Sequence, residues 1–95
     1  MIYGYARVST KEQKLDRQID SLTKYVDVKN IYSDKLSGKN TNRENYQKLK
    51  EVVAADDVIY IHALDRLSRN KRDTIREFNY FKEKGVILRI LNMPT

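Results

Sequence analysis

Strand-like and helix-like apolar patterns alternate along this chain, and that alternation is what most limits its fold. From residue 2 to residue 8, apolar positions recur with a period of two, as in a strand with one buried face. From Leu15 to Val26 they recur every three or four residues, as on one face of a helix. The same change of period follows twice more, which is typical of an α/β domain with a parallel sheet and right-handed crossovers.

The pattern predicts about four strands and three helices. The strands are expected to start at Ile2 and to recur at residues 31–33, 58–62 and 86–91. The helices are expected to turn these apolar residues toward the sheet: Leu15, Ile19, Leu22 and Val26 in the first, Tyr46, Leu49 and Val53 in the second, and Ile75, Phe78 and Phe81 in the third, at residues 71–84. The expected fold is a three-layer α/β domain, with a mainly parallel sheet and helices on both faces.

Helix ends and one loop can also be predicted. Thr10 with Gln13, and Thr41 with Glu44, have the spacing of capping boxes for the first two helices. Residues 35–42 are expected to form a polar loop. Gly85 should end the third helix in the left-handed conformation that glycine tolerates best.

Arg7 and Ser9 lie where the first strand gives way to a helix. Side chains alternate across a strand, so Tyr3, Tyr5, Arg7 and, if the strand is long enough, Ser9 share one side. The positive end of the following helix would favour an anion beside them. The pattern predicts a phosphate site, and the alternative is that Ser9 is part of a helix cap with Glu12.

The charge balance favours a polyanionic partner. The chain carries 19 Lys and Arg against 13 Asp and Glu, a net charge of +6, with much of the excess at residues 66–76. Nucleic acid is the natural candidate. Ligands of parallel sheets bind beyond the carboxyl ends of the strands, where Arg7, Ser9, Asp34, Asp65, Arg66 and Arg69 all fall in the expected fold.

Several classes of protein are disfavoured. The chain has no cysteine, which excludes disulfides and cysteine nucleophiles, and it has one histidine. No acidic cluster beyond Asp56 and Asp57 is present, which disfavours a two-metal nuclease. No apolar stretch reaches about 18 residues. Because the first strand is predicted to begin at Ile2, we expect no signal peptide. We therefore expect a cytoplasmic protein without a membrane partner.

Three motifs occur in a fixed order along the chain. Residues 4–9 read Gly-Tyr-Ala-Arg-Val-Ser, residues 34–38 read Asp-Lys-Leu-Ser-Gly with Arg43 beyond them, and residues 64–70 read Leu-Asp-Arg-Leu-Ser-Arg-Asn. In this combination the chain resembles the catalytic domain of the serine recombinases, the resolvase and invertase family, over essentially its whole length. Because proteins of that family are longer, residues 1–95 are expected to be the catalytic domain, ending before the dimerisation helix and the DNA-recognition domain.

The resemblance implies site-specific DNA recombination. Ser9 would attack a DNA phosphodiester and form a transient 5′-phosphoserine link, while Arg7, Arg66 and Arg69 bind and polarise the phosphate. The supporting residues would be Tyr5, Gln18, Asp34, Ser37, Arg43 and Asp65. No metal, cofactor or ATP is expected, because guanidinium groups can take the place of a metal at phosphate.

The implied partners are double-stranded DNA and further copies of the protein. The family acts as a homodimer and a synaptic tetramer. We expect the 95 residues alone to be monomeric or weakly associated.

Some assignments stay open at the level of sequence. A cation in the first turn of a helix, as expected for Arg43, interacts unfavourably with the helix dipole by about 0.3 to 1 kcal/mol, and a bound phosphate would reverse that cost. Alternatively, Arg43 could be a solvated side chain. Asp34 could begin an Asx turn instead of supporting the site. Asp65 could orient Arg66 or Arg69, or could cap a turn. The family's lysine on the second helix fits Lys48 or Lys50.

His62 is not assigned as a general base, because the family motif gives its position no catalytic role and a strand-end histidine usually satisfies local hydrogen bonds. The alternatives to a recombinase are a non-catalytic DNA-binding or regulatory relative and a receiver-like phosphate-binding module. The second would need an acidic pocket or a glycine-rich loop, which the sequence lacks.

Overall fold

A computed structural model describes residues 1–9, 15–36, 43–62 and 71–91. For residues 8, 9, 15–18, 35 and 36 it describes the backbone and not the side chains. Strands and helices alternate in the order β1 (Ile2–Ser9), α1 (Leu15–Thr23), β2 (Ile31–Leu36), α2 (Glu44–Val52), β3 (Val58–Ile61), α3 (Lys71–Lys84) and β4 (Ile87–Ile90). A 3-10 turn, Val28–Asn30, leads into β2.

The strands form a four-stranded parallel sheet in the order β2-β1-β3-β4. Parallel neighbours need a crossover between them, and helices supply it, as the alternating pattern predicted. The carboxyl ends of the strands therefore meet at one edge of the sheet. The expected α/β architecture is confirmed.

Helices cover both faces of the sheet, as two neighbouring residues of β1 show. A Cβ atom at Gly4 would lie 3.6 Å from Leu22 of α1 and 3.3 Å from Ile31, so α1 packs closely on this face. The ring of Tyr5 lies 5.0 Å from the ring of Tyr46 in α2. Because successive strand residues point to opposite faces, α1 and α2 lie on opposite sides of the sheet.

The main core lies between the sheet and helices α2 and α3. Its buried members are Tyr5, Tyr46, Leu49, Val53, Ile59, Ile61, Phe81 and Val86. All three inward positions predicted for α2 are among them. On the other face, Leu22 and Val26 are buried, as predicted.

The second strand is longer than predicted. It runs to Leu36, because Asp34 pairs with Arg7 and Leu36 pairs with Ser9 in the parallel ladder with β1. The predicted loop is therefore wrong at residues 35 and 36, and its remainder lies outside the described residues. The last two strands are slightly shorter than predicted, since the ladder between them joins only residues 58–61 to 87–90.

The start of α2 also differs from the prediction. The helix begins at Glu44 and Arg43 occupies the cap position, where it makes no side-chain capping hydrogen bond. The prediction had placed Thr41 at the cap, and Thr41 itself lies outside the described residues. The predicted box of Thr10 and Gln13 also falls outside them.

The third helix has the predicted ends but a different inner face. Phe81 is fully buried, whereas Ile75 is 51% exposed and Phe78 is 40% exposed, so the inward prediction is wrong for these two. The helix instead turns Glu77 toward α2, where Glu77 accepts a 2.6 Å hydrogen bond from the hydroxyl of Tyr46. Glu77 and Phe81 are one turn apart and share a face, which leaves Phe78 to the side.

Gly85 ends α3 with a φ of 84°, in the left-handed region, which confirms its predicted role. A Cβ atom there would lie 3.1 Å from the Cβ of Ala55, so space as well as backbone conformation favours glycine. No helix in the described part of the chain is long and apolar enough to span a bilayer.

Candidate active site at the carboxyl edge of the sheet

Tyr5 and Asp34 are buried on the α2 side of the sheet, on neighbouring strands. The hydroxyl of Tyr5 donates a 2.8 Å hydrogen bond to Oδ2 of Asp34. Tyr5 is fully buried and Asp34 is 8% exposed. A buried carboxylate is costly unless hydrogen bonds satisfy it, so this bond contributes to the stability of the site.

Asp34 also caps helix α2 from a distance in the sequence. Its two carboxylate oxygens accept hydrogen bonds from the backbone N–H groups of Asn45, at 3.1 Å, and Tyr46, at 3.0 Å. These are among the first N–H groups of the helix, which have no partner within it. Asp34 therefore supplies the cap that Arg43 does not, and the Asx-turn alternative is wrong. The side chain of Asn45 reinforces the junction with a 2.6 Å hydrogen bond to the carbonyl of Ser33.

Arg43 lies over the same pair of tyrosines. Its Nε donates a 3.3 Å hydrogen bond to the hydroxyl of Tyr5. Its guanidinium carbon is 3.8 Å from the ring centroid of Tyr46 and 5.4 Å from that of Tyr5. The side chain is half-buried and makes these contacts, so Arg43 is not a fully solvated arginine. Tyr5 thus joins the cation of Arg43 to the carboxylate of Asp34.

Both tyrosines at this site stay protonated at ordinary pH. Burial raises the pKa of the Tyr5 hydroxyl far above its usual 10.0; the nearby Arg43 lowers that pKa, and Asp34 raises it. Burial also raises the pKa of Tyr46, and its hydrogen bond to Glu77 raises it further. Each hydroxyl is therefore a fixed hydrogen-bond donor to a carboxylate.

Sequence reasoning missed the position of Tyr46 and Glu77 at this site, and it left Lys50 as one of two choices for the family's lysine. Tyr46 was predicted only as a core residue, although it follows Arg43 by three positions and so lies on the same side of the helix. Nζ of Lys50 forms a 3.1 Å salt bridge with Glu77, and both side chains are less than 20% exposed. Lys48, the other choice for the family's lysine, is exposed. No local pattern in α3 indicated that Glu77 would face inward.

Arg7 and Ser9 are in β1, as predicted. Arg7 is half-buried, on the same side of the strand as Tyr5, and is the ladder partner of Asp34. The strand includes Ser9, and this is the length that was needed for Ser9 to share one side of the strand with Tyr5 and Arg7. The side chain of Ser9 lies outside the described part of the structure.

The structure thus brings together Tyr5, Asp34 and Arg43, with Arg7 in the adjoining ladder position. The backbone of Gln18 lies in α1, but its side chain is not described. Four other predicted site residues fall outside the described ranges, and they stay predictions: Ser37, Asp65, Arg66 and Arg69.

His62 lies away from this cluster, on the side of α1. It follows the end of β3 and lines a cavity of about 420 Å³ with Ser21, Lys24, Tyr25 and Leu91. Its Nδ1 is buried without a hydrogen-bond partner among the described residues. No catalytic role follows from its position.

The arrangement is suited to an anionic ligand. Arg7 and Arg43 place two permanent cations near one end of the sheet, and Asp34 is enclosed by donors. A planar guanidinium can make paired hydrogen bonds to phosphate oxygens and keeps its charge at any working pH.

Known proteins share both the sequence and the fold. The family described as the resolvase N-terminal domain matches residues 2–95. A resolvase from Clostridium perfringens is 43% identical over 90 residues, covering 94% of this chain and 48% of the relative. The Transposon Tn3 resolvase of Escherichia coli is 42% identical over 92 residues, covering 96% and 50%. The chain therefore spans about half the length of these curated relatives.

A solved structure agrees with this assignment. The C-terminal catalytic domain of ISC1926 TnpA, an IS607-like serine recombinase, superposes with a TM-score of 0.73 at 31% identity, covering 99% of this chain and 70% of that one. The fold, the ordered motifs and the matched length agree, and the chain belongs to the resolvase N-terminal domain family of serine recombinases.

Proposed function

We propose that this domain carries out site-specific DNA recombination, with Ser9 as the nucleophile. The observation that carries the proposal is the link from Asp34 through the Tyr5 hydroxyl to Arg43, at bond lengths of 2.8 and 3.3 Å, beside the strand that ends at Ser9. Membership of the family supports it. Arg7, Arg66 and Arg69 would bind and polarise the phosphate.

The proposed chemistry is a transesterification. A bond forms between the Oγ of Ser9 and phosphorus, and the bond from phosphorus to the 3′ oxygen breaks. The serine hydroxyl loses a proton and the leaving 3′ oxygen gains one, so a 5′-phosphoserine and a 3′-hydroxyl result. The reverse step on an exchanged strand rejoins DNA without ATP, because the covalent link conserves the phosphodiester energy. Asp65, Gln18 and Ser37 would support the site.

The partners follow from this chemistry. We expect double-stranded DNA as the substrate and a homodimer that pairs into a synaptic tetramer in the intact protein. A dimerisation helix and a DNA-recognition domain beyond these 95 residues would provide assembly and site selection. The cytoplasm, where bacterial and transposon DNA lies, is the expected location.

Trapping of the covalent intermediate tests the proposal. The intact protein is incubated with end-labelled fragments of the DNA flanking its coding region, quenched with detergent, and digested for mass spectrometry. We expect a phosphonucleotide adduct on Ser9 that is lost in Ser9→Ala, while DNA binding changes little. The control Ser21→Ala, on α1, should keep the adduct. Binding without any adduct in the unaltered protein would favour the non-catalytic DNA-binding relative instead.

A further inference from the structure

The ring of Tyr46 forms a platform beneath the guanidinium of Arg43. The 3.8 Å separation between the guanidinium carbon and the ring centroid is a close cation–π contact. Tyr46 is 1% exposed, so water competes little for the underside of the cation.

Tyr46 is itself held from three directions. Its backbone N–H donates to Asp34 at 3.0 Å, and its hydroxyl donates to Glu77 at 2.6 Å. Its ring makes an edge contact with Phe81, with centroids 6.2 Å apart. A ring fixed at both its backbone and its hydroxyl end has little freedom to rotate.

The acceptor for that hydroxyl is neutralised locally. Lys50 forms a 3.1 Å salt bridge with Glu77, and its ammonium lies 4.4 Å from the ring centroid of Tyr80. Lys50 therefore supplies the opposite charge that Glu77 needs in its partly buried position. Lys84 donates a 2.7 Å hydrogen bond to the carbonyl of Lys50, which adds a further tie between α2 and α3.

We infer that the ring of Tyr46 is a positioning group for Arg43. The inference rests on the proposed function, in which Arg43 supports the phosphate site. An unrestrained arginine loses much conformational freedom when it binds phosphate, and a prefixed one loses less. The Glu77 contact also ties Arg43 to α3, which begins two residues after Arg69 in the sequence.

Nuclear magnetic resonance of the Arg43 side chain tests the positioning without any DNA. The Nε–H signal is assigned by its loss in Arg43→Lys, and its exchange with water is then measured in the intact protein. We expect Tyr46→Leu to speed exchange at least about ten-fold. Tyr46→Phe, which keeps the ring, should change exchange less than about three-fold.

Leu49→Ala is the matched control for lost stability. Leu49 is fully buried on the same helix, one turn farther from Arg43, so its truncation weakens the core without removing the platform. We expect it to leave Arg43 exchange within about two-fold of the unaltered protein. The inference would be overturned if Leu49→Ala and Tyr46→Leu speeded Arg43 exchange equally, or if Tyr46→Leu left exchange unchanged.

The rate of Ser9 adduct formation gives the functional readout. On the flanking DNA fragments, Tyr46→Leu should form the adduct about ten-fold more slowly, which corresponds to about 1.4 kcal/mol, with DNA affinity nearly unchanged. Tyr46→Phe should recover most of the rate. If the unaltered protein forms no adduct, the proposed function fails, while the exchange measurements still decide whether Tyr46 holds Arg43.

Discussion

The hydroxyl of Tyr5 on β1 donates a 2.8 Å hydrogen bond to the carboxylate of Asp34 on β2, and both residues are buried. The same carboxylate binds the first N–H groups of α2. One acidic side chain thus joins two strands and a helix, and Arg43 reaches this junction through Tyr5. The stability of the fold and the geometry of the site depend on the same atoms.

Asp34→Asn should lower the free energy of unfolding by about 1 to 3 kcal/mol. The donors that now bind two carboxylate oxygens would find only one acceptor oxygen on the amide. Denaturant unfolding followed by circular dichroism measures the change. Asp27→Asn is the control, since Asp27 is an exposed cap whose carboxylate accepts one bond from the N–H of Lys29. Asn caps about as well as Asp, so the control should stay within about 0.5 kcal/mol.

The orientation of α3 can be checked by a pair of truncations. Phe81→Ala should cost about 3 to 5 kcal/mol, because the residue is fully buried in the main core. Phe78→Ala, at a side chain that is 40% exposed, should cost less than about 1 kcal/mol. A larger loss at Phe78 than at Phe81 would show that the helix faces the sheet as the apolar pattern predicted.

Alkaline pH should reveal the two protonated tyrosines. In the folded chain the pKa values of Tyr5 and Tyr46 lie above the usual 10.0, so their contribution to stability is complete below about pH 10 and is lost as the pH rises further. Phenolate absorbance should show both ionising together with unfolding. A Tyr5→Phe, Tyr46→Phe double variant should lose less stability across this range. Ionisation of both tyrosines in the native fold near pH 10 would contradict the prediction.

Guanidinium geometry should matter more than charge at the proposed phosphate site. Arg66→Lys or Arg69→Lys in the intact protein should slow DNA cleavage by about 10³-fold, since lysine cannot make the paired phosphate contact. Arg89→Lys is the control, because Arg89 is exposed on β4. We also expect cleavage to continue in EDTA. Normal cleavage by the lysine variants, or loss of cleavage on chelation, would argue against a metal-free arginine site.

The 95 residues alone should bind DNA weakly and without sequence preference. A net charge of +6 supports phosphate contacts, whose affinity falls steeply with salt because counterions are released. Sedimentation should show a monomer or a weak association, and gel shifts should show binding that fades between low and physiological salt. A tight dimer with nanomolar, site-selective binding would contradict this expectation.

The sequence by itself determined the features that depend on short-range physics. Periods of two and of three to four residues predicted the order of strands and helices, because burial of one face imposes those periods locally. Gly85 predicted the end of α3, because the left-handed conformation is a property of one residue. The three ordered motifs indicated the family through residues 4–9, 34–38 and 64–70.

Only the tertiary structure decided how the site is held together. Asp34 caps a helix that starts ten residues later in the sequence, and no local pattern records such a contact. Glu77 faces inward in place of Phe78, because a hydroxyl and an ammonium from α2 satisfy its charge there. Arg43 lies over the ring of Tyr46, with its guanidinium carbon 3.8 Å from the ring centroid. Apolar periodicity alone does not determine the rotation of a helix about its own axis. Polar pairs between distant segments compete with apolar burial, and the rotation is decided only when the helices pack on the sheet.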